Sequence, residues 1–398
     1  MVQAMSLFNQ LLQHFPRSEF VALVRKHSAE RDAKGFTCWS QLVAMLFCQL
    51  AHTDSLREIC NGLSCCLGKL VHLGIGKAPN KSTLSYANEH RPAALFEDLF
   101  FTALARLRSE QGVGPRKHKF RFKNKLVSLD STTISLCLTL FPWAKFRAAK
   151  GGVKAHVLLS HDDYLPEYVI ITEARCSDVR MAGSFSFNPG TIVALDRGYA
   201  DYKLFARWTA GEIYFVTRLK DNAAYEVVEE CKIPENRKIL SDQIIRFTAG
   251  TAPQDCPCLL RRVVAWDEEN QQQIVVLTNQ LAFGATTIAS IYQDRWKIEL
   301  FFKALKQNLK IKSFVGTSEN ALRIQIWTAL LALMLLKWLH YLSKAKWSLS
   351  NLASMASPKS VHLQGLAEMA RRALSDPSVD SRVRATHFGA GLIWTASQ

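Results

Sequence analysis

The sequence predicts a mixed α/β protein in which a helical N-terminal region precedes a domain built from both strands and helices. In the first 110 residues apolar side chains recur every three or four positions, as in Leu7 to Phe15 and Trp39 to Leu50, which is the spacing of amphipathic helices. Residues 126–220 instead alternate short apolar strands with helices, and helical spacing returns from about Thr286. These changes in the spacing of apolar residues indicate more than one structural unit.

Within the α/β part, the order of elements predicts the RNase H-like fold. An apolar strand from Leu126 to Leu129 and a second strand from Thr132 to Leu140 are followed by further strands, a short helix and another strand and helix. Short strands around the turn at 267–270 indicate a β insertion. We therefore expect a helical domain at 1–112, a basic linker at 113–125, an α/β domain at 126–220 and 286–345, a β insertion at 221–285, and a C-terminal region at 346–398 with a role in dimerisation.

The net charge points to a polyanionic partner. The chain has 50 basic and 34 acidic residues, a net charge of +16, and the excess lies in two segments. Residues 1–125 contain 18 basic and 9 acidic side chains, and residues 292–347 contain 10 and 3. Two separate basic segments are expected if two surfaces face the phosphates of a nucleic acid.

Composition also limits the location of the protein. No secretory signal is evident at the start, and the apolar run from Ile326 to Leu336 is too short to cross a bilayer, so a buried core helix, a cytoplasmic protein and no membrane partner are expected. The ten cysteines lack the paired spacing of zinc sites, which predicts buried free thiols.

Two basic features in the first 125 residues have more than one interpretation. A helix from Ser55 to Asn61, capped by Asp54, and another starting near Asn80 or Ser82 could read DNA as a helix-turn-helix pair, with Lys77, Lys81 and Arg91 beside the second helix. An ordinary structural helix pair is equally compatible. The linker could neutralise phosphates or be a solvated basic loop.

Acidic residues at three places suggest a metal site. Asp130 and Asp196 each follow an apolar strand, and Glu299 lies on a helix. Each alone is explained by a turn, a helix cap or a surface ion pair. Together they match a two-metal site for phosphoryl transfer, in which converging carboxylates hold two divalent ions such as Mg²⁺.

The helix that carries Glu299 also carries cationic side chains and a phenol at regular spacing. Tyr292, Arg295, Glu299, Lys303 and Lys306 stand at offsets 0, 3, 7, 11 and 14, so on one continuous helix they share a stripe. Cations and a phenol can bind phosphate oxygens around the carboxylate.

These residues carry a family resemblance. The spacing Tyr292-x2-Arg295-x3-Glu299-x6-Lys306 resembles the Tyr-Arg-Glu-Lys motif of the DDE transposases of insertion-sequence family four. Asp196-Arg197-Gly198-Tyr199 is similar to the motif of their second aspartate, and 141–156 resembles their strands after the first. The similarity runs from about residue 120 to 345, and the helices from Leu7 onward resemble an N-terminal domain found in part of the family.

The resemblance implies roles for individual residues. Asp130, Asp196 and Glu299 would ligate two Mg²⁺ (or Mn²⁺) ions. Other residues would contact DNA phosphates near the scissile bond: Tyr292, Arg295 and Lys306, with Lys303 assisting and Arg197, Lys154 and His156 as neighbours. A histidine at the position of His156 is more often a structural strand residue. A tryptophan that stabilises a distorted DNA end could be Trp208 or Trp266, and core packing is the more common explanation for each.

The implied function is cut-and-paste transposition of an insertion sequence. The protein would bind terminal inverted repeats of double-stranded DNA as a homodimer at the nucleoid, cleave both ends and transfer them into target DNA. Two alternatives remain open from sequence: an RNase H-like nuclease without strand transfer, and an inactive DNA-binding descendant of a transposase.

Overall fold

A computed structural model of the chain describes residues 7–31, 33–66, 70–110, 119–147, 150–235, 238–311, 313–342 and 348–356. The part of the predicted linker at 113–118 lies outside the described residues. So does the predicted C-terminal region at 346–398, except for 348–356.

The N-terminal region is helical, in agreement with its periodicity. Two of its helices begin at side chains that accept a backbone N–H: Thr37 accepts from Ser40, and Ser55 accepts from Glu58. The predicted cap Asp54 lies one residue before the cap that forms. The helices are α1 (Leu7–Leu12), α2 (Arg17–Lys26), α3 (Cys38–Ala51), α4 (Leu56–Ser64), α5 (Lys81–His90) and α6 (Ala94–Glu110).

One sheet of ten strands runs through the rest of the described chain. Its order is β2-β3-β1-β5-β6-β10-β9-β8-β7, and β4 pairs with β3. The strands are β1 (Leu126–Leu136), β2 (Lys145–Arg147), β3 (Lys150–Ser160), β4 (Pro166–Glu173), β5 (Ile192–Leu195), β6 (Tyr214–Arg218), β7 (Tyr225–Glu230), β8 (Ile239–Phe247), β9 (Leu260–Asp267) and β10 (Gln272–Thr278).

Half of this sheet has the RNase H-like order. Strand β3 is antiparallel to both β1 and β4, whereas β5 is parallel to both β1 and β6. Parallel neighbours need a crossover connection, which α8 (Tyr202–Ala210) supplies between β5 and β6. The predicted α/β fold class is confirmed.

The strands of the predicted insertion do not form a separate unit. Strand β10 pairs antiparallel with β6, and β9, β8 and β7 follow it, so the interval 221–285 extends the main sheet. The sequence suggested an interruption because its pattern shows strands but not the long-range pairing that joins them.

The remaining helices lie between and after the strands in the chain. They are α7 (Asp178–Ser184), α9 (Ala252–Asp255), α10 (Ala285–Asp294), α11 (Trp296–Asn308), α12 (Glu319–Leu342) and α13 (Leu349–Ala356). The predicted helix from Thr286 through Phe314 is wrong in two respects, because it is divided at Arg295 and ends at Asn308. The predicted helix from Glu319 to Leu342 is confirmed.

Helix α12 lies in the interior of the protein. Among the described residues its segment Glu319–Tyr341 is long and apolar enough to cross a membrane, but 83% of the apolar window is buried against other parts of the chain. It packs against α3, α5, α6, α11 and α13. A core helix explains its composition, as predicted.

The N-terminal helices and the α/β domain share one hydrophobic core. Phe100 and Phe101 of α6 each lie 5.8 Å from Trp327 of α12, measured between ring centroids. The buried side chain of Gln49 donates to Gln325 O at 3.2 Å and accepts from the Lys310 N–H at 2.9 Å. The two regions are therefore joined by apolar packing and by satisfied buried polar groups.

Candidate active site

Asp130 and Asp196 are neighbours because β1 and β5 are parallel and in register. Leu129 of β1 lies opposite Leu195 of β5, and in both cases the next residue of the chain is the aspartate. Adjacent strands are separated by about 4.8 Å, so the two carboxylates start from adjacent positions at the same edge.

The prediction that both aspartates follow a strand is right for Asp196 and wrong for Asp130. Strand β5 ends at Leu195, but β1 continues through Asp130 to Leu136. The strand continues because β3 pairs with this whole stretch, with Val157 opposite Asp130. Asp130 therefore lies where β1 loses its parallel partner and keeps only its antiparallel one.

Glu299 reaches the same place through the junction of α10 and α11. The helix is interrupted at Arg295, but the φ of −51° and ψ of −32° there are helical, so the predicted stripe is kept across the junction. Arg295 Nη2 donates to Glu299 Oε1 at 2.7 Å, and Arg295 Nη1 lies 3.8 Å from Asp130 Oδ2. One guanidinium thus bridges two of the three predicted carboxylates.

The charges of both other acidic residues act on Asp130. Its pKa is raised to about 6, chiefly by burial; the Ser131 N–H and the Arg295 guanidinium oppose the rise, and the charges of Asp196 and Glu299 contribute to it. Neighbouring acidic groups that raise the pKa of a carboxylate in this way are typical of functional sites.

The donor set suits a hard divalent ion, although Glu299 is turned away from it. Carboxylate oxygens are the ligands that Mg²⁺ prefers. Within the described part of the chain, no three acidic, histidine or cysteine side chains are grouped closely enough to hold a metal ion. Because Glu299 is hydrogen-bonded to Arg295, coordination by all three would require its side chain to rotate.

Tyr292 and Arg218 also lie near this site. Tyr292 is buried, and the Arg295 guanidinium carbon lies 5.4 Å from its ring centroid. Burial raises the pKa of Tyr292, while Arg295 and Arg218 lower it and Asp196 raises it. Sequence reasoning missed Arg218, although a basic residue that ends the strand beside β5 was a usable signal.

The remaining predicted cations on this side differ in exposure. Lys303 is exposed, Lys306 is partly buried, and the Arg197 side chain is 47% exposed. Arg197 Nη1 lies 2.8 Å from Asp221 Oδ2, an exposed ion pair that can exchange for a phosphate at little cost.

Lys154 and His156 lie beside an acidic residue that the sequence did not single out. Lys154 Nζ is 3.2 Å from both carboxylate oxygens of Asp178 and 3.0 Å from Cys176 O. Asp178 also accepts from Ser131 Oγ at 2.7 Å. Burial lowers the pKa of His156 to about 4, so the imidazole is neutral and structural. The position of Asp178 at the start of α7 was its only sequence signal.

A second buried carboxylate, Asp294, directly precedes Arg295 in the chain. It accepts from Lys119 Nζ and His161 Nδ1, both at 2.6 Å, and from the Tyr164 hydroxyl at 3.2 Å. Burial raises the pKa of Asp294, but the hydrogen bonds from His161 and Lys119 outweigh it and lower the value to about 2. Sequence reasoning missed it because it lies off the stripe.

Other predicted positions are placed as follows. Trp208 is buried in the core beside Phe187, and Trp266 on β9 is half-buried, so packing explains the first but leaves the second open. Lys77 and Lys81 are exposed near α5. Arg91 is buried and donates to Gln41 Oε1 at 3.2 Å, so it is not a surface cation.

The ten cysteines are free thiols, as predicted, but not all of them are buried. Cys65 and Cys137 are exposed. The buried ones are Cys38, Cys48, Cys60 and Cys256.

Comparison with known families assigns both parts of the chain. Residues 121–335 match the family described as the transposase DDE domain. Residues 3–76 match a domain of unknown function, DUF4372. The first match contains Asp130, Asp196 and Glu299.

Individual relatives agree with this assignment. A Sinorhizobium fredii protein named as transposase y4zB is 31% identical over 264 residues, which are 65% of this chain and 71% of that protein. A Geobacillus stearothermophilus protein, named as the transposase for insertion sequence element IS5377, is 32% identical over 59% of this chain and 62% of its own length. A Synechocystis protein, named as the transposase for IS4SA, is 26% identical over 66% of this chain and 73% of its own length.

The family match covers more than half of the chain, and it includes the two paired strands and the helix junction that bring the acidic residues together. The chain therefore belongs to the DDE transposase family and is a transposase of the insertion-sequence type.

Proposed function

We propose that this transposase cuts double-stranded DNA at the terminal inverted repeats of an insertion sequence and joins the cut ends to target DNA. The observation that carries the proposal is that Asp130 and Asp196 follow adjacent positions of the paired strands β1 and β5, while Arg295 contacts both Asp130 and Glu299. It supports phosphodiester chemistry independently of the family match.

DDE transposases use divalent metal ions, and we assign the ligands in this chain. Asp130, Asp196 and Glu299 would hold two Mg²⁺ or Mn²⁺ ions, with Glu299 leaving Arg295 to do so. The bound ions would supply activation of the attacking oxygen and stabilisation of the leaving oxygen. Freed from Glu299, the Arg295 guanidinium becomes available to the scissile phosphate.

The surrounding residues would orient the DNA backbone. Tyr292 and Arg295 would contact the phosphate beside the acidic residues, and Lys303, Lys306 and Arg197 would contact neighbouring phosphates. Charge-assisted hydrogen bonds of this kind fix position without reading sequence. Lys154, which is paired with Asp178, would contact DNA only if that ion pair opened.

The reaction would proceed by successive exchanges at phosphorus. Water attacks the phosphodiester at each end, a new P–O bond forms, and the strand leaves as a 3′-hydroxyl. That hydroxyl then attacks a phosphodiester of the opposite strand, which closes a hairpin on the transposon end and releases the flanking DNA with a 3′-hydroxyl. Water reopens the hairpin and regenerates the 3′-hydroxyl of the transposon end. This hydroxyl attacks a phosphodiester of the target DNA and releases a 3′-hydroxyl on the cut target strand.

Other parts of the chain receive roles in the same proposal. Residues 1–112 would bind the inverted repeats, which the exposed Lys77 and Lys81 support, and the basic linker at 113–125 would follow the DNA backbone. Two copies would form the synaptic complex through the C-terminal region at 346–398, acting on the nucleoid in the cytoplasm.

A reconstituted reaction tests the proposal. Purified protein, inverted-repeat duplexes, Mg²⁺ and a target plasmid should give cut ends and joined products. Asp130→Ala should abolish both, whereas Glu319→Gln, an exposed acidic residue on α12, should leave them unchanged. Cleavage without any joined product would identify a nuclease, and DNA binding without cleavage an inactive descendant.

A further inference from the structure

The residues behind the active site form a second, buried polar chain. We infer that His161 and Asp294 are positioning residues for DNA cleavage, which hold the α10–α11 junction so that Arg295 and Glu299 face Asp130. Lys119 ties the basic linker to this pair. The inference rests on the proposed function, since it concerns the same reaction.

The chain of contacts is continuous. Ser128 Oγ lies 2.7 Å from His161 Nε2, and His161 Nδ1 lies 2.6 Å from Asp294 Oδ2. Lys119 Nζ lies 2.6 Å from Asp294 Oδ1, and the Tyr164 hydroxyl donates to Asp294 Oδ2. The carboxylate thus binds three side chains, which come from two segments that are distant from it in sequence.

Burial excludes a direct chemical role for this set. Ser128 is fully buried, and His161 and Asp294 retain 9% and 2% of their surface. A serine, histidine and aspartate in this order resemble the arrangement of a hydrolase, but a substrate could not reach the hydroxyl. A buried, fully hydrogen-bonded network instead holds the backbone that carries it.

That backbone is the one that carries the active site. Asp294 is the last residue of α10 and the chain neighbour of Arg295, and Ser128 lies two positions before Asp130 on β1. His161 begins the turn after β3, the strand that pairs with β1 at Asp130. A shift of the junction would therefore move Arg295 and Glu299 relative to Asp130.

The same turn connects to the N-terminal region. Arg108 of α6 donates to Asp163 through both Nε and Nη2, and Lys337 of the buried helix α12 donates to Tyr164 O. Lys119, by contrast, has a side chain that is 50% exposed. Lys119 is the residue of this hydrogen-bonded network that connects the basic linker to the α10–α11 junction.

The expected effects follow from geometry. Because misplacement of a catalytic group by about 1 Å can cost roughly 100-fold in rate, loss of the clamp should lower the cleavage rate on bound DNA. DNA affinity should stay within about twofold, since the buried residues touch no DNA.

The test compares matched variants at saturating inverted-repeat DNA, with rates corrected for the folded fraction. Asp294→Asn should lower the first-strand cleavage rate roughly tenfold or more. His161→Asn keeps a donor at the Nδ1 position and should retain most activity. His161→Gln keeps a donor only at the Nε2 position and should fall with Asp294→Asn. Equal rates for the two histidine variants would overturn the inference.

Lys119 is tested by a double-mutant cycle. Lys119→Met should lower the cleavage rate more than Lys123→Met, an exposed cation of the same linker. The effects of Lys119→Met and Asp294→Asn should not add if Lys119 acts through Asp294. Additive effects would overturn that link. Failure of the wild-type protein to cleave would instead contradict the proposed function.

Discussion

Asp130, which is partly buried, and Asp294, which is buried, both neighbour Arg295, and their environments shift the pKa in opposite directions. The pKa of Asp130 is about 6 and that of Asp294 is about 2. Asp294 receives donors from Lys119, His161 and Tyr164. Asp130 receives the Ser131 N–H, while Arg295 stays 3.8 Å away and two other carboxylates act on it.

The difference follows the hydrogen-bond donors: the donors to Asp294 outweigh the effect of its burial on the pKa, whereas those to Asp130 do not. Asp294 is stabilised as an anion by the fold and serves the structure. Asp130 is desolvated without matching donors, which agrees with its proposed role as a ligand, because its charge would then be balanced by a cation.

The largest expected effect is on activity at Asp130. Asp130→Asn should lower the rate of end cleavage by at least about 10³-fold, because a ligand is lost from both proposed ions. Cleavage of a labelled inverted-repeat duplex in Mg²⁺ measures it. A variant that cuts at the wild-type rate would contradict the assignment of Asp130.

When a chelator removes divalent ions, Asp130→Asn should be at least as stable as the wild-type protein. The folded pKa of about 6 lies above the ordinary 3.8, so ionisation costs about 3 kcal/mol above pH 6, and this cost disappears below about pH 3.8. Removing the charge should leave the Tm at pH 7 equal or higher. A lower Tm would show that the Asp130 charge is already satisfied.

Asp294 should behave in the opposite way. Asp294→Ala should reduce the free energy of unfolding by about 3 kcal/mol, because it leaves His161 and its neighbours without their acceptor. Urea denaturation measures the loss. Asp221→Ala, which removes an ion-paired aspartate with an 84% exposed side chain, is the control and should cost at most about 0.5 kcal/mol.

The acid dependence of stability offers a smaller effect. The folded pKa of about 2 for Asp294 lies below the ordinary 3.8, so its contribution of about 2 kcal/mol is present above pH 3.8 and is lost as the pH falls towards 2. Asp294→Asn should therefore show a shallower decline of stability between pH 4 and 2 than the wild type. Parallel curves would contradict the low pKa.

The smallest expected effect distinguishes Lys303, whose side chain is exposed, from Lys154, which is paired with Asp178. Lys303→Ala should lower by about one the slope of log affinity against log salt for DNA, because one phosphate contact is lost. Lys154→Ala should leave the slope unchanged, since its ammonium is paired with Asp178. An equal change in both would show that this ion pair opens on DNA.

The sequence predicted those features that depend on local periodicity. Arg295 and Glu299 are in contact because helical geometry brings residues four apart together, even across the break at Arg295. The bounds of α12 followed from its apolar composition.

Features that depend on distant partners were not predictable. Asp130 lies inside a strand because β3, more than twenty residues later, pairs with it. Arg295 was expected to face phosphate, yet its guanidinium faces two carboxylates, one of them on another element. Asp294 is held by hydrogen bonds from Lys119 and His161, which lie more than a hundred positions earlier in the chain, so the residues around it do not reveal this role.

The burial of α12 between α3, α5, α6 and α11 has a consequence for attempts to build chimaeras. A transposase whose DNA-recognising part is a separate module can receive a new one by exchange of that segment alone. Here an exchange of residues 1–112, the proposed DNA-binding region, would leave the apolar surface of α12 facing foreign side chains. New specificity would have to be introduced on the exposed surface of the resident helices, or α12 would have to be transplanted with them.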